Sequence, residues 1–146
     1  MATKTRGWLA GDGRLARGTT QWLTERAFRR ADIPAVRQFA RAFGARAGIG
    51  PARLADFVLA VSEAASCATT AGACTARVRL WVTGTRAFCR VRGDGMVRWS
   101  SPGARAVGWA GEEAALRSWV LRRITDHTSV AYDPDGVCVL LSMRVA

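Results

Sequence analysis

The sequence predicts a single α+β domain built as a two-layer sandwich, in which a mixed, mostly antiparallel sheet carries helices on one face. Three observations lead to this prediction. The chain of 146 residues has the length of one ordinary domain. Some segments repeat apolar residues at helical spacing, and others alternate apolar and polar residues as strands do. These segments follow in the order strand, helix, helix, strand, strand, loop, helix, strand, strand, which favours helices packed against one side of a sheet.

The chain begins with a glycine-rich stretch. Four glycines fall within the first 18 residues, so we expect residues 1–18 to be flexible and the domain to occupy residues 19–146. The segment TQWLTERAF, residues 20–28, is typical of a strand with Trp22 or Leu23 turned inward.

Two helices are predicted next. Asp32 is a suitable cap for the first helix, Pro34 suits its first turn and Gly48 its end. The second helix begins near Pro51. Apolar residues at helical spacing form the buried stripes, which are Val36, Phe39, Ala40 and Phe43 in the first helix and Leu54, Phe57, Val58, Val61 and Ala65 in the second.

The second half of the chain predicts two hairpins joined by a helix. Residues 75–84 and 86–95 alternate apolar and polar residues as strands do, and Gly84 turns the chain between the two strands. In the first strand, one face carries Val78, Leu80 and Val82, and the other carries Arg77, Arg79 and Trp81. After an irregular stretch, a helix is expected over residues 112–126, with Leu116, Trp119, Val120 and Ile124 inside. The last hairpin turns between Asp133 and Gly136.

Charge is the strongest compositional signal. The net charge is +11, and every basic residue except Lys4 is arginine. Residues 1–53 hold 11 basic side chains against three acidic ones. Such a surface attracts acidic proteins, nucleic acid or anionic lipid. Because the guanidinium fork pairs bidentately with carboxylates, we expect an acidic protein partner to bind the arginines of this region, namely Arg26, Arg29, Arg30, Arg37 and Arg41.

The remaining composition argues against a secreted, membrane or metal-binding protein. The basic N-terminus lacks the apolar segment of a secretory signal, and no apolar run approaches the roughly 18 residues of a membrane span, so a cytoplasmic location is expected. The four cysteines have no CxxC spacing and no partner histidines. They predict reduced, mostly buried thiols and no metal site.

Glu63 is the most informative single residue. On the second helix, Leu59, Glu63 and Cys67 share a face displaced from the main apolar stripe. That face could line a pocket in which a carboxylate base orients water. The residues alone leave a second interpretation open, in which Glu63 is a solvated helix residue paired with an arginine.

Three stretches in order, SEAASCATTAG (62–72), RVRGDG (90–95) and GEEAALRSWVLRRITDH (111–127), resemble one family. They are similar to the GHKL-type (histidine-kinase-like) ATPase domains of the bacterial anti-sigma-factor serine kinases. The resemblance implies that Glu63 stands at the position of the general base. It also implies that Cys67 replaces the Asn that holds magnesium against the nucleotide phosphates.

The resemblance implies that the other ATP motifs are eroded as well. The family's Asp-x-Gly-x-Gly motif binds the adenine amino group through its Asp, and here Gly93 stands at that position and Gly95 at the first Gly. Asp94 lies one residue away and could substitute only through a local bulge. The phosphate-loop motif is retained as Gly111 alone, followed by two glutamates that would repel phosphate.

A degenerate, regulatory member of the family is the function that the resemblance implies. A thiol is a poor magnesium ligand, and a glycine side chain cannot hydrogen-bond adenine. We therefore expect a pseudo-ATPase that is not an enzyme, holds no cofactor and regulates transcription by gripping an acidic protein, such as a sigma factor or an antagonist protein.

Two alternatives from other classes stay open. The first is an active serine protein kinase that uses ATP with magnesium, with Glu63 as base and Asp94 on adenine. The second is a DNA-binding module, which charge alone motivates, since no helix-turn-helix, zinc-finger or RNA-binding signature is present. The oligomeric state is also left open, a homodimer included.

Overall fold

The computed structural model describes residues 20–70, 75–94, 119–133 and 136–145. Five strands in this part of the chain form one sheet in the order β1-β2-β3-β5-β4, and all four pairings are antiparallel. The strands are β1 (Thr20–Phe28), β2 (Thr75–Thr83), β3 (Arg86–Asp94), β4 (His127–Asp133) and β5 (Gly136–Arg144). The predicted α+β two-layer sandwich is confirmed, but the sheet of the described residues is entirely antiparallel and not mixed.

Two long helices, α1 (Ile33–Arg46) and α2 (Pro51–Thr70), follow β1. A 3-10 turn, Arg30–Asp32, leads into α1. Residues 119–124 form a further helical segment before β4. The predicted order of elements is therefore present in the described residues, while the expected flexible residues 1–18 lie outside them.

The ends of α1 depend on two residues that the sequence singled out. Gly48 has φ +81°, and its N–H donates to the carbonyl of Ala45 at 3.2 Å, while the N–H of Ile49 donates to that of Gly44 at 3.0 Å. These bonds form a Schellman motif, which favours glycine at this position. Asp32 stands before α1 as predicted, but its Oδ2 accepts from the N–H of Arg29 at 2.9 Å and makes no cap bond to α1.

The turns of both hairpins fall where the sequence placed them. Thr83 pairs with Arg86, so Gly84 and Thr85 form a two-residue turn. Gly84 has φ +60°, and Thr85 does not have a positive φ, which is the pattern of the type II′ turn that suits twisted hairpins. In the last hairpin, Asp133 pairs with Gly136.

The main core lies between the helices and one face of the sheet. Phe43 of α1 and Phe57 of α2 stack with their ring centroids 5.8 Å apart. Beneath them the alternate sheet residues Val78, Leu80, Cys89, Val91, Val139 and Leu141 are at most 1% exposed. The residues Phe43, Phe57, Val78 and Leu80 were all predicted to face inward from their spacing, and all four are buried.

A second apolar cluster lies on the opposite face of the sheet. Trp81 and Phe88 are paired across β2 and β3 and stack with ring centroids 5.2 Å apart and planes 5° apart. Leu140 and Leu23 pack against them. Leu23, one of the two residues predicted to turn inward, is partly buried on this face, away from the helices, and the side chain of Trp22 lies outside the described part.

The prediction for the last helix needs a correction. Residues 112–118 lie outside the described part, and the helical segment ends at Ile124, not at residue 126. Trp119 was expected inside but is 59% exposed, whereas Leu121 is fully buried in the core. Two helical positions correspond to about 200° of rotation, so the buried face of this segment lies almost opposite to Trp119.

Candidate functional site

The middle of α2 carries the predicted base position. Glu63 is half-buried there, next to the buried Ser62. The Nε of Arg37 on α1 donates to Ser62 Oγ at 2.9 Å. One arginine of the predicted partner surface therefore binds the residue that precedes Glu63 in the sequence.

The face of α2 that holds Glu63 runs from solvent into the core. Leu59 is 44% exposed, Glu63 is half-buried, and Cys67 is 5% exposed and belongs to the main core cluster. Residues at i and i+4 drift by about 40° around a helix, which explains this gradient. Cys67 therefore packs among the apolar side chains of the main core.

The end of β3 carries the two residues of the predicted adenine position. Gly93 is buried opposite Ala76, and Asp94 pairs with Thr75. The β2–β3 register is continuous from Thr75 to Thr83, without the bulge that a substitution of Gly93 by Asp94 would need. Neighbouring positions of a regular strand belong to opposite faces of the sheet, so position 94 does not share the face of position 93.

Several predicted positions cannot be placed. Gly95 and Gly111 lie outside the described residues, as do the two glutamates after Gly111. In the described ranges, no three or more His, Cys, Asp or Glu side chains are grouped so that they could hold a metal ion.

The five arginines of the predicted partner surface are all exposed; we call Arg26, Arg29, Arg30, Arg37 and Arg41 the α1 arginine surface. One of them lies on the edge strand β1, two lie at the 3-10 turn, and two lie one turn apart on α1. They thus lie in consecutive elements, from β1 through the 3-10 turn to α1.

Two clusters of charged residues were missed by the sequence reasoning. The first is on the sheet face away from the helices, where Glu25 accepts from Arg79 Nη2 at 2.7 Å, from Arg79 Nε at 3.2 Å and from Arg77 Nη1 at 3.0 Å. Partial burial alone would oppose ionisation of Glu25, but the hydrogen bonds and charges of Arg79 and Arg77 outweigh it and hold the pKa of this carboxyl below its ordinary value.

The second cluster surrounds Asp126, in the turn before β4. Its Oδ2 accepts from the N–H of Arg144 at 2.7 Å and from Arg53 Nη2 at 3.2 Å, and lies 3.9 Å from Arg86 Nη1. Burial again opposes ionisation, yet the Arg144 N–H and the Arg53 guanidinium keep the pKa of Asp126 below its ordinary value.

No sequence signal pointed to these two clusters. Glu25 and Arg79 are 54 residues apart, and Arg53 and Asp126 are 73 apart. Only the strand register of β1 on β2 and the packing of the α2 N-terminus against the end of β5 bring them together.

A scan of known protein families finds no match for this chain, and no curated protein matches it either. No helix in residues 20–70, 75–94, 119–133 or 136–145 is both long and apolar enough to cross a membrane.

Proposed function

We propose that this chain is a regulatory binding protein of the anti-sigma-factor type, with a GHKL-like domain whose ATP site has degenerated. It acts in the cytoplasm by binding an acidic protein, such as a sigma factor or an antagonist of one, and does not turn over ATP. The proposal rests on the resemblance of the three sequence stretches. It is supported by the position of the α1 arginine surface.

The observation that carries the proposal is that five arginines in consecutive elements, from β1 through the 3-10 turn to α1, are all exposed. Arg29 and Arg30 precede α1, and Arg37 and Arg41 continue on the helix. Guanidinium groups bind carboxylates bidentately and are enriched among the residues that dominate binding energy. An acidic protein is the partner whose charge complements the α1 arginine surface.

The surroundings of Cys67 and Gly93 support the loss of ATP chemistry. Cys67 is buried among apolar side chains, and a thiol is a poor ligand for magnesium, which prefers oxygen donors. Because β3 pairs with β2 in a regular register, position 94 belongs to the other face of the sheet from position 93, the predicted adenine position.

Charge reversal tests the partner surface. Arg29→Glu with Arg30→Glu should slow association with the captured partner and weaken the salt dependence of its rate. The matched control is Arg122→Glu with Arg123→Glu, an adjacent exposed pair on the helical segment 119–124. Mass spectrometry of proteins captured from a bacterial lysate should find an acidic protein that the control retains and the Arg29/Arg30 variant loses. Capture of nuclease-sensitive nucleic acid alone would favour the DNA-binding alternative.

Calorimetry with ATP separates the regulator from the kinase. We expect no binding at millimolar ATP, with or without magnesium, because losing two hydrogen-bonding anchors weakens affinity by on the order of a hundred-fold. Cys67→Asn combined with Gly93→Asp should restore part of the binding, and each single change should restore less. Tight magnesium-dependent binding by the unaltered chain, abolished by Glu63→Ala or Asp94→Ala, would overturn the proposal in favour of the kinase.

A further inference from the structure

A surface cavity of about 440 Å³ lies at the other end of the domain from Cys67 and Gly93. It is lined by Arg53, Arg86, Asp126 and Arg144. Arg53 belongs to the first turn of α2, Arg86 opens β3 and Arg144 closes β5. Cys67 and Gly93 lie near the opposite ends of α2 and β3, so this cavity is separate from the ATP-like positions.

Hydrogen bonds hold the cavity wall in place. Arg53 Nη2 donates to Asp126 Oδ2 at 3.2 Å, and Arg53 Nε donates to the carbonyl of Arg144 at 3.1 Å. The N–H of Arg144 donates to Asp126 Oδ2 at 2.7 Å, and the N–H of Asp126 donates to the carbonyl of Ser142 at 3.0 Å. Backbone and side chains thus fix both the carboxylate and the Arg53 guanidinium before any ligand arrives.

Positive charge remains in excess around this wall. Among the described residues, three arginines and one aspartate line the cavity, so the formal charge of its lining is +2. Among the described residues, no hydrogen-bond acceptor reaches the buried Nη1 of Arg86, and its ion-pair distance to Asp126 Oδ2 is 3.9 Å. A buried charged donor without an acceptor costs free energy, which an incoming oxyanion would relieve.

We propose that this cavity binds the phosphate group of a small phosphorylated ligand. A phosphate monoester carries close to two negative charges at neutral pH, which matches the formal charge of +2 in the cavity lining. A ligand with one carboxylate would neutralise only one of these two charges. Guanidinium groups pair with phosphate through two parallel hydrogen bonds. The volume falls within the range of about 300–1,000 Å³ that small-molecule pockets occupy. This site is independent of the proposed partner binding, since it involves none of the α1 arginine surface.

Titration calorimetry of the full chain with inorganic phosphate, and separately with a simple phosphate monoester, tests the site at constant ionic strength. We expect saturable binding at one site and little binding of acetate. Arg86→Gln should weaken phosphate binding at least about tenfold, since it removes a charged hydrogen bond. Arg41→Gln, the matched control on α1, removes the same charge elsewhere and should leave binding unchanged.

Asp126→Asn separates ligand binding from a purely structural role of the cluster. Loss of the competing carboxylate should tighten phosphate binding several-fold, even though the folded protein loses the ion pair to Arg53. Weaker phosphate binding by folded Asp126→Asn would overturn the proposal. So would the absence of saturable binding, equal losses in the Arg86 and Arg41 variants, or acetate binding as tight as phosphate binding.

Discussion

Arg79 is a charged side chain that is only 6% exposed on a strand of the sheet. It is tolerated there because Glu25, directly opposite on β1, accepts from both its Nε and its Nη2. A buried charge needs such a partner, since taking it from water without one is costly. The pair therefore fixes the register of β1 on β2, because a slip by one residue would place Glu25 on the other face.

Glu25→Ala should lower the free energy of unfolding by about 1–3 kcal/mol, since it removes charge-assisted hydrogen bonds to Arg79 and Arg77. Arg77→Ala is the control, because the Arg77 side chain is 52% exposed and an exposed ion pair contributes about 1 kcal/mol or less. Urea unfolding measures both. Equal losses in the two variants would contradict a special role for the buried Arg79–Glu25 pair.

The two long helices are joined by a connection of only a few residues between Arg46 and Pro51. The Schellman motif at Gly48 turns the chain, and Ile49 then packs back into the main core. A Cβ on Gly44 would meet Leu54 Cδ1 of α2, so a glycine also permits the close approach of the helices.

Gly48→Ala should destabilise the protein by about 1–2 kcal/mol, because residues with a Cβ rarely adopt a left-handed backbone. The matched control lies two residues away. A Cβ on Gly50 would meet nothing within 4 Å, and its φ lies outside the left-handed region. Gly50→Ala should therefore change stability by less than about 1 kcal/mol, since it removes only the modest preference for glycine before the first turn of α2. Similar thermal shifts for the two variants would contradict the assignment.

At the scale of the whole molecule, the described residues form one sheet with an apolar cluster on each face. The helices cover the cluster of Val78, Leu80 and Val91, while Trp81 and Phe88 on the other face are each 3% exposed. Charge is distributed around these layers, with arginine in excess at the α1 arginine surface, beside Asp126 and on the sheet face of Glu25. The carboxylates of Glu25 and Asp126, which bind arginines in the last two of these places, couple the stability of the protein to pH.

Stability should fall in acid. The folded pKa values of Glu25 and Asp126 are both lowered, so in acid the unfolded chain binds more protons than the folded chain. The contribution of both groups is therefore complete above their unfolded pKa values, near 4, and is lost as the pH falls through the lower folded values. Glu25→Gln with Asp126→Asn should flatten the dependence of the urea midpoint on pH below about 5. An unchanged slope would contradict this assignment.

The sequence by itself determined the elements and their order. Strand β1 spans Thr20–Phe28 and α2 begins at Pro51, as predicted. The first hairpin turns at Gly84, and the second turns between Asp133 and Gly136. These features are local, since the periods of 2 and about 3.6 residues, together with glycine and proline, act over a few neighbours. The resemblance to the ATPase family rests on the sequence alone, and both its motifs and the function that they imply stay predictions.

The tertiary structure decided which residues meet. Trp119 has the spacing of a core residue but faces solvent, because Leu121 occupies the buried position instead. Trp81 stood on the polar side of an alternating strand, yet it stacks on Phe88 in a second apolar cluster. The ion pairs of Glu25 with Arg79 and of Asp126 with Arg53 join residues 54 and 73 positions apart. Register and helix docking are set by the summed burial of both layers, and no local pattern carries that information.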